Sequence, residues 1–439
     1  MPNAATLLSW SGERPGKPGE GEIRAVATTA IPSVNPAPAT PRYQALLVGL
    51  LGVNLGIVFL DRTAFGLLAP MIQPEFGLDN TQIGLITGIL AVTWSLSSFG
   101  LTRAADITGR SKLLLVAGTV IFSLASISSG LAVGLLTLMA ARALMGLAEG
   151  GLPPLTFHVV NSEVAAERRG LAVGLTSTIG LQAIPMLGPL IIVGIGTVFG
   201  WRAAFWVAGV PGLIMAAAIW LLIRNPPHVR AQDTPKGSVG PLLKVRNIRF
   251  SMVLATLNMT FYASLLGFGP LYLVNVAGFS NALMGVTMTA IGVGGVFFAF
   301  VGPMLSDRLG RKPAIFGAYA ISIAGVLLLA LADRSFPWAF AGAVLAGAGG
   351  AGSGALIMAI IPGESAPPHL KGTAMGFNAG VGELLGAGVM PVAIGWIADR
   401  IGLGVLPFVL LVVAVLFCLI ALFLKETAPK VVARRGAPA

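Results

Sequence analysis

Charged residues are scarce in this sequence. Only 10% of its 439 residues are Asp, Glu, Lys or Arg, whereas 55% are hydrophobic. A soluble globular chain carries about 25% charged residues, so the composition excludes that class. The apolar runs are also much longer than the roughly 10 residues of a membrane barrel strand. We therefore expect an integral membrane protein made of helices that lie in the lipid bilayer.

Residues for covalent, metal and nucleotide chemistry are few. The single cysteine, Cys418, allows no intramolecular disulfide, and the three histidines lie scattered at segment ends and in loops. The sequence has no GxxxxGK[ST] phosphate loop. GAGGAGSG at 347–354 matches GxGxxG, but it follows no strand and indicates close helix packing instead. These patterns predict no enzyme, no metal and no cofactor.

Twelve apolar segments have the length that a membrane-spanning helix needs. The longest polar interruption, 224–249, separates six of them from the other six. The predicted segments are 44–69, 81–103, 112–132, 134–157, 170–198, 202–223, 250–276, 282–305, 313–332, 337–361, 372–398 and 404–424. We number them spans 1 to 12, and they predict an all-α fold of two six-helix bundles.

Five parts follow from this division of the chain. Residues 1–43 are rich in Pro, Gly, Ala and Ser without a signal-peptide pattern, and they predict a disordered tail. The first bundle covers 44–223, the linker 224–249 and the second bundle 250–424. Residues 425–439 form a short basic tail.

Lysine and arginine predict the orientation in the membrane. An even number of spans places both tails on one side. All but five of the 28 Lys and Arg residues fall on that side: two lie inside spans and three on the opposite side. Cytoplasmic loops carry such an excess, so we expect cytoplasmic tails and a multi-pass inner-membrane protein. The excess of Lys and Arg in cytoplasmic loops explains the net charge of +11, so the charge does not indicate a nucleic-acid partner.

The two halves repeat each other. Asp106 and Asp307 lie 201 residues apart, as do Glu163 and Glu364, and two glycine pairs follow at an offset of 202. Four anchors at nearly one offset indicate a tandem duplication of a six-helix unit. Parallel repeats of this kind place a binding site between the halves, near the middle of the membrane.

Charges inside spans are the first candidates for a functional site. Asp61 and Arg62 are adjacent in span 1, and Arg142 and Glu149 lie about two helical turns apart in span 4. Each costs about 2.5–3.5 kcal/mol at the bilayer centre, and such residues usually face a bundle interior or an aqueous cavity. The corresponding positions of the second half carry no charge. A purely structural ion pair between spans 1 and 4 is the alternative interpretation.

The loops after spans 2 and 8 carry a second charge pattern. DITGR and DRLGR begin at Asp106 and Asp307. The pattern resembles the signature G-x-x-x-D-R-x-G-R-[RK] of the major facilitator superfamily, although Ile107 replaces its first Arg. GWIADRIG at 395–402 echoes it on the opposite side. The resemblance implies that these charges hold the cytoplasmic ends of the helices together in one conformation of the transport cycle. The gating candidates are Asp106, Arg110, Asp307, Arg308 and Arg311.

With RALMGLAEGG and ERRG, the sequence is similar to the anion:cation symporters of that superfamily, which include sugar-acid/proton symporters and relatives of sialin and the vesicular glutamate transporters. The resemblance implies that Arg62 holds a substrate carboxylate and that Asp61 and Glu149 carry protons. It also implies that Arg142 pairs with Glu149. The chemistry agrees, because Arg stays charged and grips a carboxylate with two hydrogen bonds.

Glu383 in span 11 is a further acid within the membrane, at a position where that family more often has Asn. It is a candidate for the proton site or the substrate site, or for a structural bond. Four polar residues are candidates for recognising substrate hydroxyl groups: Asn258, Tyr262, Tyr272 and Asn378.

We therefore expect proton-coupled uptake of a small organic anion, such as a sugar acid, by a monomer in the lipid bilayer. Three alternatives remain at this point: an aromatic-acid/proton symporter, a multidrug/proton efflux antiporter and a non-transporting membrane receptor. Gly188-Pro189 in span 5 is one element of the efflux signature, but the glycines that usually follow it are missing.

Overall fold

The computed structural model describes residues 40–226, 240–332 and 335–434, without the side chains of Phe99 and Asp106. Within these ranges the regular structure is helical throughout, and twelve helices are long and apolar enough to cross a membrane. The predicted all-α fold with twelve spans is confirmed. The spans are Pro41–Phe76, Asn80–Ala105, Ser111–Gly130, Leu135–Glu163, Ala166–Phe199, Trp201–Leu222, Arg246–Asn275, Asn281–Leu309, Arg311–Leu331, Phe336–Ser365, Pro368–Ile401 and Leu403–Ala421.

Several helices extend beyond the apolar segments that predicted them. Span 1 was predicted at 44–69 but is a helix of 36 residues, Pro41–Phe76. The helix of span 2 continues to Thr108. Hydropathy marks only the apolar part of a helix, which lies in the lipid. The backbone hydrogen bonds of the helix continue into polar residues until a capping residue ends them. Gly77 ends span 1 with a φ of 61°, a backbone conformation that favours glycine.

The predicted linker and tail contain short helices. Gly240–Lys244 forms one within 224–249, and span 7 already begins at Arg246. Pro429–Arg434 forms another after span 12. Most of the predicted disordered tail lies outside the described part of the chain, at residues 1–39. The same holds for residues 227–239 of the linker and for residues 435–439.

The spans pack as two bundles with matching neighbours. In the first bundle span 3 packs against spans 4 and 6, and span 2 against span 4. In the second, span 9 packs against spans 10 and 12, and span 8 against span 10. The bundles meet through spans 1 and 7, 2 and 11, and 5 and 8. This arrangement leaves a space between the bundles that six helices line.

Three spans contain a wider π-helical turn. The segments are Thr178–Ala183 in span 5, Leu356–Ile360 in span 10 and Gly382–Val389 in span 11. Segments of this kind often occur at functional sites, because they turn side chains away from the regular helical register. Those of spans 5 and 11 occupy equivalent positions in the two halves, and Glu383 lies in the latter.

The bundles touch closely on the side of the membrane away from the chain termini. There the carboxylate of Asp399, at the end of span 11, accepts four hydrogen bonds from the start of span 2. The backbone N–H of Asn80 and of Thr81 each lie 2.8 Å from it, and their side chains bond it at 2.9 and 2.5 Å. A Cβ atom at Gly395 would lie 2.2 Å from the Asn80 carbonyl oxygen, so the two helices require glycine here. Asp399 thus closes the contact between the bundles at this end.

Asp399→Ala should loosen the first turn of span 2. The first N–H groups of a helix have no partner within the helix, and a carboxylate beside them also stabilises the helix dipole. We expect hydrogen–deuterium exchange in the peptide that begins span 2 to accelerate about tenfold or more. Arg400→Ala is the matched control, since Arg400 is exposed and lies over the Trp396 ring, 3.9 Å from its centre. Equal exchange in the two variants would contradict this role of Asp399.

Candidate functional site

Span 1 points its two adjacent charges in different directions. Consecutive residues of an α-helix lie about 100° apart around its axis. Asp61 turns into the first bundle and is fully buried, whereas Arg62 turns toward the space between the bundles and keeps 18% of its side chain exposed. The acid and the base of this pair therefore belong to two different environments.

Asp61 is partly satisfied inside the first bundle. Its Oδ1 accepts a hydrogen bond of 2.8 Å from the hydroxyl of Ser126 in span 3. Its Oδ2 has no hydrogen-bond partner among the described residues. An ionised carboxylate in such a place costs free energy unless a positive charge or a proton compensates it.

Arg142 lies next to Asp61 and is 1% exposed. One of its Nη atoms lies 3.4 Å from the backbone oxygen of Asp61 and 3.2 Å from the sulfur of Met145. Its guanidinium lies 4.7 Å from the centre of the Phe205 ring, which supplies a cation–π contact. Nε and the second Nη have no partner in the described part of the chain. This buried cation retains donors that a ligand could use.

Glu149 is fully buried in span 4, and neither of its carboxylate oxygens has a hydrogen-bond partner within the described ranges. The expected ion pair with Arg142 is absent from the salt bridges between described residues. The regular helix ends at Glu149, and Gly150 follows it. A Cβ atom at Gly150 would lie 2.1 Å from the backbone oxygen of Trp94, so span 4 packs tightly on span 2 just beyond the acid. Glu149 thus lies in a closed, water-poor environment.

Glu383 pairs with Arg62 across the two bundles. Its carboxylate accepts a hydrogen bond from an Nη of Arg62, and Glu383 is 7% exposed. The guanidinium of Arg62 also lies 5.0 Å from the centre of the Trp94 ring and 6.0 Å from that of Phe59. Among the described residues, this is the one ion pair that joins an acid and a base of opposite halves. Arg62, the predicted substrate ligand, is therefore occupied by a side chain of the protein itself.

A cavity of about 210 Å³ lies beside this ion pair. Spans 1, 2, 4, 5, 7 and 11 all contribute to its wall. Arg62, Arg142, Tyr262 and Glu383 line it, so the structure brings together four of the predicted site residues. The rest of the wall is mainly aliphatic and aromatic.

Three of the predicted hydroxyl-recognising residues lie outside the lining of this cavity. Asn258 accepts hydrogen bonds from Tyr319 at 3.0 Å and from Ser353 at 3.1 Å within the second bundle. The side chain of Asn378 joins Ser251 of span 7 to a backbone oxygen of span 10. Both amides therefore hold helices of the second bundle together.

Tyr272, the third of them, lines a separate small cavity inside the second bundle. Sequence position alone could not separate it from Tyr262, because both tyrosines stand in span 7, about three helical turns apart.

Two of the predicted gating residues of the second half, Asp307 and Arg311, belong to a network at the helix ends on the terminal side. Arg311 donates hydrogen bonds to Asp307 at 2.5 Å and to Glu364 at 2.7 Å. Glu426 accepts bonds from the first backbone N–H groups of span 9, at 2.7 Å from Arg311 and 3.2 Å from Lys312. An anion at a helix N-terminus is favourable, and this acid stands in what the sequence predicted as a basic tail.

The other gating candidates show fewer contacts. Arg110 and Arg308 are exposed. The side chain of Asp106 lies outside the described part of the structure. The gating role of all five residues stays a prediction.

Sequence reasoning missed the apolar wall of the cavity. Phe59, Phe65, Met259 and Leu266 line it, yet each stands in a long apolar run where nothing distinguishes it from a residue that faces lipid. A charge in a span is a conspicuous signal, whereas one more phenylalanine among many carries none.

Twelve membrane-spanning helices around a central cavity with buried charges define a membrane transporter. Residues 51–387 match the sequence profile of the Major Facilitator Superfamily, and the chain belongs to this family. It is accordingly a multi-pass membrane transporter and not an enzyme.

Similar proteins agree with this assignment. The chain is 30% identical over 317 residues to the hexuronate transporter of Bacillus subtilis (strain 168). The aligned region covers 69% of this chain and 73% of the relative. It is 27% identical over 369 residues to the gentisate transporter of Corynebacterium glutamicum, over 80% of both chains.

A solved structure shares the fold. It is the crystal structure of a bacterial homologue of the human lysosomal transporter Spinster, in an inward-facing and occupied conformation. The TM-score is 0.70 at 20% identity, and the match covers 88% of this chain and 97% of the other. At this identity the likeness shows the fold alone.

Proposed function

We propose that this protein takes up a small organic carboxylate together with protons by alternating access. Two relatives with substantial coverage are named as transporters of carboxylic acids, hexuronate and gentisate, which supports an organic anion as the substrate. The observation that carries the proposal is the ion pair between Arg62 and Glu383 at the cavity wall.

This ion pair provides a means of coupling. A substrate carboxylate that enters the cavity competes with Glu383 for the guanidinium of Arg62. Once displaced, Glu383 is a nearly buried acid without its counter-charge, and a proton removes that cost. Substrate and proton then each favour the binding of the other, as linkage requires. Arg142 and Tyr262 face the same cavity and belong to the same electrostatic environment.

Glu149 and Asp61 are the further proton carriers in this proposal. Both are fully buried, and at least one oxygen of each lacks a hydrogen-bond partner among the described residues. A structural ion pair would satisfy its members, whereas unsatisfied buried acids are typical of sites that change their protonation.

The bundles touch on the side away from the termini, where Asp399 joins spans 11 and 2. With the termini in the cytoplasm, as the Lys and Arg distribution indicates, this contact lies on the outer side of the membrane. Rocking of the bundles would break the Asp399 contact and open the cavity to the outer side.

The test uses purified protein in liposomes with an inward proton gradient. We expect gradient-driven accumulation of at least one labelled acid from a panel of aromatic acids and sugar acids, and its loss when a protonophore collapses the gradient. A sodium gradient at constant pH is the control for the coupling ion. No accumulation of any acid, together with efflux of cationic dyes, would contradict the proposal and favour a multidrug antiporter.

A further inference from the structure

The apolar lining of the cavity indicates more about the substrate than the charges in the cavity do. Beyond the polar residues Arg62, Arg142, Tyr262 and Glu383, its wall is mainly apolar. Six apolar side chains line it from four different spans: Phe59, Phe65, Ile86, Leu90, Leu181 and Met259. Burial of apolar substrate surface against such a wall is favourable, and aromatic side chains favour the face or edge of another ring.

Two of the three hydroxyl groups in the cavity lining are engaged within their own helices. Thr63 donates its hydroxyl hydrogen to the backbone oxygen of Leu60, and Thr87 donates to that of Ile83, each at 2.9 Å. Tyr262 is the remaining hydroxyl of the lining. The polar amides of Asn258 and Asn378 lie elsewhere and bond within the second bundle.

A sugar acid is poorly matched to this wall. Each substrate hydroxyl that leaves water without a new partner costs roughly tenfold in affinity. Several hydroxyls would compete for the Tyr262 hydroxyl, two threonine oxygens and the unpaired donors of Arg142. An aromatic acid makes no such demand: its ring meets the apolar wall, its carboxylate meets Arg62, and a ring hydroxyl could bond Tyr262.

We propose that the substrate is a one-ring aromatic carboxylate of the benzoate type and not a sugar acid. This inference rests on the proposed function, since it names the substrate class of the same site. The relatives transport acids of both kinds, so sequence identity does not choose between them, whereas the lining of the cavity does.

The experiment compares the binding of benzoate, 4-hydroxybenzoate and glucuronate to the full chain in detergent by titration calorimetry. We expect the aromatic acids to bind at least about 30-fold more tightly than glucuronate. Glucuronate binding equal to or tighter than that of both aromatic acids would overturn the inference and leave carboxylate transport intact. Failure of all acids, in this assay and in liposomes, would instead contradict the proposed function.

Leu181→Ala tests the apolar wall directly. Leu181 lines the cavity from span 5, whereas Leu187 of the same span is 45% exposed and lies outside the lining. We expect Leu181→Ala to weaken benzoate binding about fivefold or more and the matched control Leu187→Ala to leave it unchanged. Thermal unfolding of both variants checks that they fold. Unchanged benzoate affinity in a folded Leu181→Ala protein would remove this wall from the substrate site.

Discussion

Arg62→Lys is expected to weaken substrate binding about 30-fold. Hydrogen bonds that involve a charged group contribute about 1.5–3 kcal/mol, and lysine cannot reproduce the planar, two-pronged grip of a guanidinium on a carboxylate. The Trp94 ring, 5.0 Å from the guanidinium, helps to hold the arginine in place. Calorimetry with the best-bound acid, followed by uptake into liposomes, measures it.

Arg202→Lys is the matched control for Arg62→Lys. Arg202 also pairs with a glutamate, at 2.7 Å from Glu75, but this pair lies outside the cavity lining and keeps about 40% of each side chain exposed. Substrate affinity should stay within twofold of the wild type in this control. Wild-type affinity in Arg62→Lys would mean that Arg62 serves the structure of the protein and not the substrate.

Glu383→Gln is expected to strengthen substrate binding, the opposite of the effect of Arg62→Lys. The amide cannot hold Arg62 as an ion pair, so the guanidinium becomes more available to a substrate anion. We expect tighter substrate binding in this variant and a smaller dependence of the affinity on pH, because one proton-binding competitor is gone. Weaker binding with an unchanged pH profile would assign Glu383 to the substrate itself.

Glu149→Gln is expected to reduce proton-driven accumulation at least tenfold while exchange of substrate across the membrane continues. Glutamine has nearly the shape of a protonated glutamic acid, so the buried site can stay neutral throughout the cycle. The bundles could then change conformation without moving a proton. Uphill uptake under a proton gradient and counterflow exchange in its absence measure the two activities separately.

Glu167→Gln provides the control for Glu149→Gln, because Glu167 is an exposed acid of the same half and lies outside the cavity lining. Both activities should persist in this control. Intact accumulation in Glu149→Gln would show that the proton travels through other acids, with Asp61 and Glu383 the next candidates.

Much of the architecture was predictable because it depends on local properties of the chain. Lipid demands about 20 apolar residues for each crossing, so hydropathy alone marks the spans. The anchors that repeat at an offset of about 201 residues indicated two six-helix units. The cost of a charge in lipid made Arg62, Arg142 and Glu383 conspicuous, and all three line the cavity.

The predictions that differ from the structure concern contacts between distant parts of the chain. Arg142 was expected to pair with Glu149, yet it contacts the backbone of Asp61 and the ring of Phe205. Asn258 and Asn378 were candidates for substrate recognition, yet their amides bond within the second bundle. A polar residue in a membrane helix needs a partner, but its position in the sequence does not tell whether that partner is a ligand or another helix.

The sequence by itself determined that this protein spans the membrane twelve times, that its halves are repeats, and that acids and bases lie within its spans. The tertiary structure decided which of them meet. Arg62 and Glu383 stand 321 residues apart, and their contact depends on how two bundles pack and on a π-helical segment that orients span 11. Hydropathy is a property of single residues and can be read from the sequence. The contact between Arg62 and Glu383 depends on the packing of all the helices around the cavity. The apolar wall that favours an aromatic acid depends on the same packing.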